Sequence, residues 1–281
     1  MAQKQQDGAY AELIKKIQRK RTVLVTLTAI AAVAAILFCS PIYIKIADNV
    51  IIETHGAPFL VAAALLVLIF FTELVIGVII DEPLRSSMDV ECDPQKYLIL
   101  NRRFAASRAL DAANLTGLFY MGEFTQALFY ADRIIANRKG YLVISAMFYK
   151  VRCMFFMGNI PEMKLAAAQY ETTITNQQIK NQKQLELYRK VLDCIKFICA
   201  IADRDCNQME FYRNKVSPWN TTKITEGFLN LLKGIAAYHL GDHEECTYRF
   251  KAVKEYCSKT ILAKYAQAYL EKMDITSSEN I

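Results

Sequence analysis

The sequence has few of the residues and motifs on which common enzyme classes depend. Its 281 residues include only three histidines, and no pair of carboxylates is concentrated in one segment. It contains no G-x-S-x-G, no phosphate-binding G-x-x-x-x-G-K-[ST], no G-x-G-x-x-G and no H-E-x-x-H. We therefore expect no catalytic residue and no cofactor, and an enzyme of unrecognised type is only the third of the functions considered below.

Cysteine is present, but never as C-x-x-C, so a zinc or thioredoxin-like site has little support. The cysteines are scattered through apolar helical stretches, which is typical of reduced, buried thiols. His239 and His243 flank the turn at Gly241, and Cys246 follows. That turn separates His239 from the other two side chains, so we expect ordinary helix-end histidines and no metal.

Charge is missing from two long stretches. Val23 to Ile44 is 22 residues without a charge, and Pro58 to Ile80 is 23 residues whose only charge is Glu73. At about 1.5 Å per residue, each can cross a hydrocarbon core of roughly 30 Å. The sequence predicts a two-helix transmembrane hairpin over residues 23–80. A cleaved secretory signal is the alternative for the first stretch, but the apolar run is longer than such signals need and lacks a small-x-small cleavage site.

Positive charge is distributed unevenly around the predicted hairpin. Six Lys and Arg residues precede the first helix, whereas the loop of residues 45–57 carries only Lys45. The positive-inside rule therefore places the N-terminus in the cytoplasm, and two crossings return the C-terminus there. This topology fits a bacterial inner membrane, with an intracellular eukaryotic membrane as the alternative. The formal net charge of +6 lies in residues 83–281, which favours contact with anionic lipid or acidic partners over nucleic acid.

Glu73 is an ionisable residue at membrane depth, about 10 Å from the cytoplasmic end of its helix. Thr26 and Thr28 fall near the same depth on the antiparallel helix. We expect a hydrogen bond from Glu73 to one of them, or to a partner subunit in a homo- or hetero-oligomer formed through the hairpin. Proton or ion movement is an alternative, although it would need further ionisable groups in the spans. Snorkelling without a partner is another.

The remaining chain divides by composition. Residues 1–22 are a basic cytoplasmic segment, 81–93 a polar linker, and 274–281 a polar tail. Residues 94–273 form a helical-repeat domain, because Asp93-Pro94 is a good helix start and later glycines only punctuate the chain. Together with the hairpin, this pattern predicts an all-α fold.

A recurring turn divides the helical domain into similar units. Gly122, Gly158 and Gly241 each end an aromatic or aliphatic helical stretch and precede a second amphipathic one, and Asp203 occupies the matching place in a degenerate copy. The turns are 36, 45 and 38 residues apart. A period of this size is typical of stacked helical hairpins, because a two-helix unit cannot bury both of its apolar faces alone.

These copies resemble tetratricopeptide repeats. Gly122 with Phe124 and Ala127 matches the turn half of the family pattern. Gly234, Gly241 and Phe250 match its first small residue, turn glycine and later aromatic. The resemblance implies an α-solenoid of about four helix pairs with a concave groove that binds protein. The family's groove positions would map onto Thr116, Phe119, Arg152, Phe155, Lys190 and Tyr238.

The sequence thus predicts a membrane-anchored adaptor or scaffold. Its cytoplasmic domain would bind a protein partner, and Arg152 and Lys190 in the groove would suit an acidic or C-terminal peptide. The alternative is an accessory subunit of a membrane transport or channel assembly that acts through the hairpin and Glu73. Membrane lipid is a further expected partner, and nucleic acid is not, because no binding motif appears.

Overall fold

The computed structural model describes residues 2–39, 57–104, 107–176 and 181–278. All regular structure in these ranges is helical, without a strand, which confirms the all-α prediction. The helices are α1 (Ala2–Cys39), α2 (Ala57–Asp89), α3 (Pro94–Phe104), α4 (Ser107–Met121), α5 (Phe124–Asn137), α6 (Tyr141–Phe156), α7 (Ile160–Asn176), α8 (Gln182–Asp203), α9 (Cys206–Lys215), α10 (Lys223–Leu240), α11 (His243–Tyr256) and α12 (Ile261–Ser278).

The chain forms two compact units, Met1–Leu84 and Arg85–Ile281. The division falls inside the segment predicted as a linker, residues 81–93, but that segment is not an irregular connection, since its first nine residues continue α2. Pro83 is accommodated within this helix. At the other end of the chain, α12 extends through the first five residues of the predicted tail, and residues 279–281 lie outside the described part.

In the first unit, a pair of threonines joins the two long helices. Thr28 Oγ1 lies 2.9 Å from Thr72 Oγ1, and the two hydroxyls also lie 2.9 and 2.7 Å from the carbonyl oxygens of Leu24 and Leu68 on their own helices. Two hydroxyl hydrogens can satisfy only two of these three contacts at a time. One threonine therefore donates to its own helix while the other donates across the pair.

Among the helices of the described residues, none combines the length and the apolar composition that crossing a membrane requires. The predicted outer loop, residues 45–57, lies almost wholly outside the described part of the chain, as do the side chains of residues 34–44 and 58–66.

In the second unit, Asp93 starts α3 as the sequence predicts. Its Oδ1 accepts a hydrogen bond of 2.9 Å from the backbone N–H of Lys96, and its Oδ2 lies 2.9 Å from Nζ of Lys259. Capping removes one of the unpaired donors of the first helical turn.

The turns at the predicted places all use left-handed backbone. Gly122, Gly158 and Gly241 have φ values of +89°, +72° and +77°. In the copy without glycine, Arg204 takes the same conformation with φ 53°, and its N–H bonds to the carbonyls that end α8. Four helical hairpins result: α4 with α5, α6 with α7, α8 with α9, and α10 with α11. Each packs against the next along the chain.

Gly234 lets α10 and α11 approach closely. A Cβ atom built on Gly234 would lie only 2.6 Å from Cε1 of Phe250, whose ring is fully buried and stacks on Tyr269 at 5.2 Å. The small residue and the later aromatic of the repeat pattern are therefore direct packing partners.

We expect Gly234→Ala to lower the free energy of unfolding by about 0–2 kcal/mol. Alanine gains roughly 1 kcal/mol of helix propensity, but the overpacked Phe250 ring must move, which costs about 1–3 kcal/mol. Urea unfolding of the full chain, followed by far-UV circular dichroism, measures the change. In the Phe250→Leu background, Gly234→Ala should lower the free energy of unfolding much less than it does alone. A Gly234→Ala protein more stable than the unchanged chain would contradict the close packing.

Candidate functional site

A cavity of about 210 Å³ opens within the second unit. Side chains from α4, α6, α8 and α10 line it, together with the end of α2, Tyr170 of α7 and the loop before α10. Seven of its eighteen lining residues are aromatic, and the wall also offers hydroxyl and amide groups. These polar lining residues are Thr116, Ser145, Asn220 and Thr225.

Arg152 of α6 is the cation of this cavity. Its side chain is only 1% exposed, and it forms no ion pair with any residue that the structure describes. Nη2 donates a 2.8 Å hydrogen bond to the hydroxyl of Tyr120, while Nε has no acceptor in the part of the chain that the structure describes. A buried charge without a counter-ion is expensive, and buried arginines are normally paired with a carboxylate. The arrangement therefore leaves room for an anionic partner from outside the chain.

Aromatic rings surround the guanidinium. Its Cζ lies 3.9 Å from the ring centroid of Phe228 and 4.1 Å from that of Phe119. Rings of Tyr149, Phe148 and Tyr120 follow at 4.8, 5.0 and 5.2 Å. Cation–π attraction is strongest where the cation is desolvated, as it is here. We call these five rings the aromatic cage; they hold the guanidinium in place but provide no negative charge to neutralise it.

Arg152 keeps its charge in this setting. Burial alone would lower its pKa, but the electrostatic interaction and the hydrogen bond with Tyr120 hold the pKa above its usual range. Burial also raises the pKa of Tyr120, which Arg152 offsets only in part, so the phenol stays neutral at physiological pH. A neutral tyrosine oxygen can accept a hydrogen bond but cannot neutralise a guanidinium.

Asp89, at the end of α2, is the acidic residue among the lining side chains. It is half-buried, and this burial raises the pKa of its carboxyl, while Arg85 acts in the opposite direction. The cavity therefore has a cation in Arg152 and a hydrogen-bond acceptor in Asp89. A ligand with both a carboxylate and N–H groups could use both residues.

Two thiols near the cation are poor nucleophiles. Burial raises the pKa of both Cys153 and Cys194 to about 12, although Arg152 acts in the opposite direction. Neither forms a significant amount of thiolate at neutral pH, and the thiolate is the reactive form of cysteine. Their environment is that of core residues.

The structure brings together some of the groove residues that the sequence singled out. Thr116 and Arg152 both line the cavity, and Phe119 belongs to the aromatic cage. Arg152 is buried in this cage rather than solvated on a helix face. Any partner-binding role of these residues stays a prediction.

Phe155, Lys190 and Tyr238 lie away from the cavity. Phe155 packs on its neighbour Phe156, with ring centroids 5.3 Å apart. Lys190 faces Glu186 along α8, with Nζ 3.5 Å from the carboxylate. Tyr238 packs against Tyr269 at 5.2 Å. The structure therefore does not join these three residues to Arg152.

Among the contributors to the site that were not predicted are Asp89, Trp219 and Phe228. Asp89 belongs to the segment predicted as a linker, and Trp219 to a loop, where neither periodicity nor a motif marks it. One signal was available, because Arg152 interrupts an otherwise largely apolar helical stretch, residues 143–157. Lys150 is the other charge in this stretch, and a charge on such a helix predicts either a solvated face or a buried polar site.

For the predicted intramembrane contact, the structure gives a partial description. Thr28 pairs with Thr72, the residue before Glu73, while the side chain of Thr26 is exposed. Glu73 lies in α2, but its side chain is outside the described part of the structure. Its hydrogen bond therefore stays a prediction.

Metal ligands do not gather anywhere in the described residues, where no three His, Cys, Asp or Glu side chains are placed to hold an ion. No family model, no curated protein and no solved structure matches the chain.

Proposed function

We propose that this protein is a membrane-attached adaptor whose helical domain binds a protein partner through a carboxylate placed on Arg152. The observation that carries the proposal is the buried guanidinium, which has no counter-ion among the described residues and faces a cavity. A carboxylate would accept hydrogen bonds from the guanidinium, and charge-assisted bonds of this kind are about twice as strong as neutral ones.

The cavity suits the C-terminal end of a peptide. Its volume of about 210 Å³ has room for a small terminal group but not for a folded surface. Asp89 could accept a backbone N–H of the same peptide, and the aromatic wall could cover an apolar side chain. Inorganic phosphate would use Arg152 alone, and it would be repelled by Asp89 when that carboxyl is ionised.

The surrounding architecture supports a binding role. Four consecutive helical hairpins turn at the positions expected of tetratricopeptide-like repeats, and we propose that they form a solenoid of this kind. Helical repeats of this type present a concave surface to their ligands. The two long apolar runs of the sequence support the proposal that residues 23–80 anchor the domain as a membrane hairpin.

Short peptides test the proposal directly. The full chain, purified in mild detergent, is applied to a peptide array in which every sequence occurs with a free C-terminal carboxylate and as its amide. We expect binders only among the free acids. For the best of these, amidation should weaken binding at least thirty-fold, since leaving one partner of a buried charge pair alone costs about 2 kcal/mol or more. Equal binding of acids and amides, or no binder at all, would refute the carboxylate role.

A second candidate function is supported by the Thr28–Thr72 contact. This polar contact joins the two long helices at the residue before Glu73. We propose as the alternative that the hairpin assembles with a transport or channel protein. Exchanging residues 23–80 for an unrelated two-helix anchor separates the two functions, because an adaptor would keep its activity and an accessory subunit would lose it.

A further inference from the structure

A second groove lies in the first unit, beside the start of the first apolar run. Its volume is about 590 Å³, and seven side chains line it. Three are cations on α1, three are apolar residues further along α1, and the last belongs to α2. These residues are Lys16, Arg19, Lys20, Val23, Leu24, Leu27 and Ile79.

The groove has a charged end and an apolar end on one face of α1. Lys16, Arg19 and Lys20 have the i, i+3, i+4 spacing that places side chains together on a helix. The apolar residues continue this face at i+7, i+8 and i+11. From Lys16 to Leu27 the stripe is about 16 Å long at 1.5 Å per residue, which is long enough to hold much of an extended acyl chain.

Neither end is satisfied within the described chain. The three cations form no ion pair with a described residue. At the apolar end, Val23 is 51% exposed and Leu27 59%. A free anion would pair with the cations but leave the apolar side chains uncovered, whereas a neutral hydrocarbon would do the reverse. An amphiphile with an anionic head satisfies both.

We propose that this groove binds one anionic phospholipid, with its phosphate on Lys16, Arg19 and Lys20 and an acyl chain along Val23, Leu24 and Leu27. The inference rests on the proposed membrane hairpin, in which these cations would lie at the cytoplasmic surface, where anionic headgroups are found. Each Lys or Arg near the membrane surface adds a roughly similar amount to the binding free energy for anionic lipid. The lipid would fix the depth of α1 in the bilayer.

Native mass spectrometry of the full chain in detergent tests the site, with phosphatidylglycerol and phosphatidylcholine of identical acyl chains as probes. The test variant is Arg19→Gln/Lys20→Gln. The control is Lys15→Gln/Arg21→Gln, which removes the same charge from exposed positions of the same segment that do not line the groove. We expect phosphatidylglycerol to bind in preference to phosphatidylcholine. The test variant should lose roughly thirty-fold in affinity for phosphatidylglycerol, and the control less than threefold.

Two results would overturn the proposal. Equal losses of affinity in both variants would show that net charge attracts lipid without a site. Displacement of the lipid by inorganic phosphate at matched concentration would show that the groove binds an anion but no acyl chain.

Extraction of cell membranes with alkaline carbonate tests the hairpin separately. Release of the chain by carbonate would refute the anchor, whereas a failed lipid experiment on a carbonate-resistant chain would refute only the groove.

Discussion

Arg152→Met should abolish binding of the free-acid peptide while leaving the fold intact. We expect at least a thirty-fold loss of affinity, because methionine cannot pair with the ligand carboxylate. The free energy of unfolding should change by less than about 1 kcal/mol. Methionine loses the cation–π contacts and the bond to Tyr120, but it also removes the cost of a buried charge without a counter-ion. Peptide titration and urea unfolding of the full chain give the two values.

Lys190→Met is the matched control, since it also replaces a cation with methionine, on a neighbouring helix. Lys190 faces Glu186 and does not line the cavity, so peptide affinity should stay within about twofold. The groove predicted from the repeat pattern includes both residues and would make both variants weak binders. A comparable loss in the two variants would therefore contradict the site at the cavity in favour of the broader groove.

Phe228→Ala should cause a large loss of stability, about 3–5 kcal/mol, the cost typical of truncating a buried phenylalanine. The ring is fully buried, and its centroid lies 3.9 Å from Cζ of Arg152 and 6.2 Å from the ring centroid of Trp219. Since small domains are stable by about 5–15 kcal/mol in total, the helical domain should unfold at a much lower urea concentration.

Phe211→Ala is the control for Phe228→Ala, because the same ring is removed from a side chain that is 56% exposed. Its effect on the free energy of unfolding should stay within about 0.5 kcal/mol. Similar losses in the two variants would contradict the placement of Phe228 at the centre of the helical domain. A second variant, Phe228→Leu, keeps an apolar side chain at the site and should lose less stability than Phe228→Ala.

The positions of the turns could be predicted because they depend on local chemistry. Gly122, Gly158 and Gly241 mark places where the backbone must become left-handed, which glycine does without strain. Arg204 shows the limit of this rule, since it takes the same conformation without being glycine. The continuation of α2 through Pro83 was not predicted, because polar composition and a proline are also typical of a loop.

The site could be predicted only in part, because a cavity is formed by residues far apart in the sequence. The repeat pattern identified Arg152 and Phe119 by their places relative to a turn. It could not show that Phe228 reaches the same guanidinium from α10, or that Asp89 lies in the wall. Lys190 was predicted as a groove cation but does not line the cavity. Its neighbour Val191 does, because adjacent residues on a helix point in different directions.

Nuclear magnetic resonance of the Arg152 Nε–H group tests whether a ligand carboxylate binds to this guanidinium. In the full chain labelled with ¹⁵N-arginine, the signal is assigned by its absence from Arg152→Met. Because Nε has no acceptor among the described residues, a bound carboxylate should shift this signal and slow its exchange with water. We predict this change on adding the free-acid peptide and none on adding its amide. A free-acid peptide that binds to saturation but leaves the Arg152 signal unchanged would contradict the account.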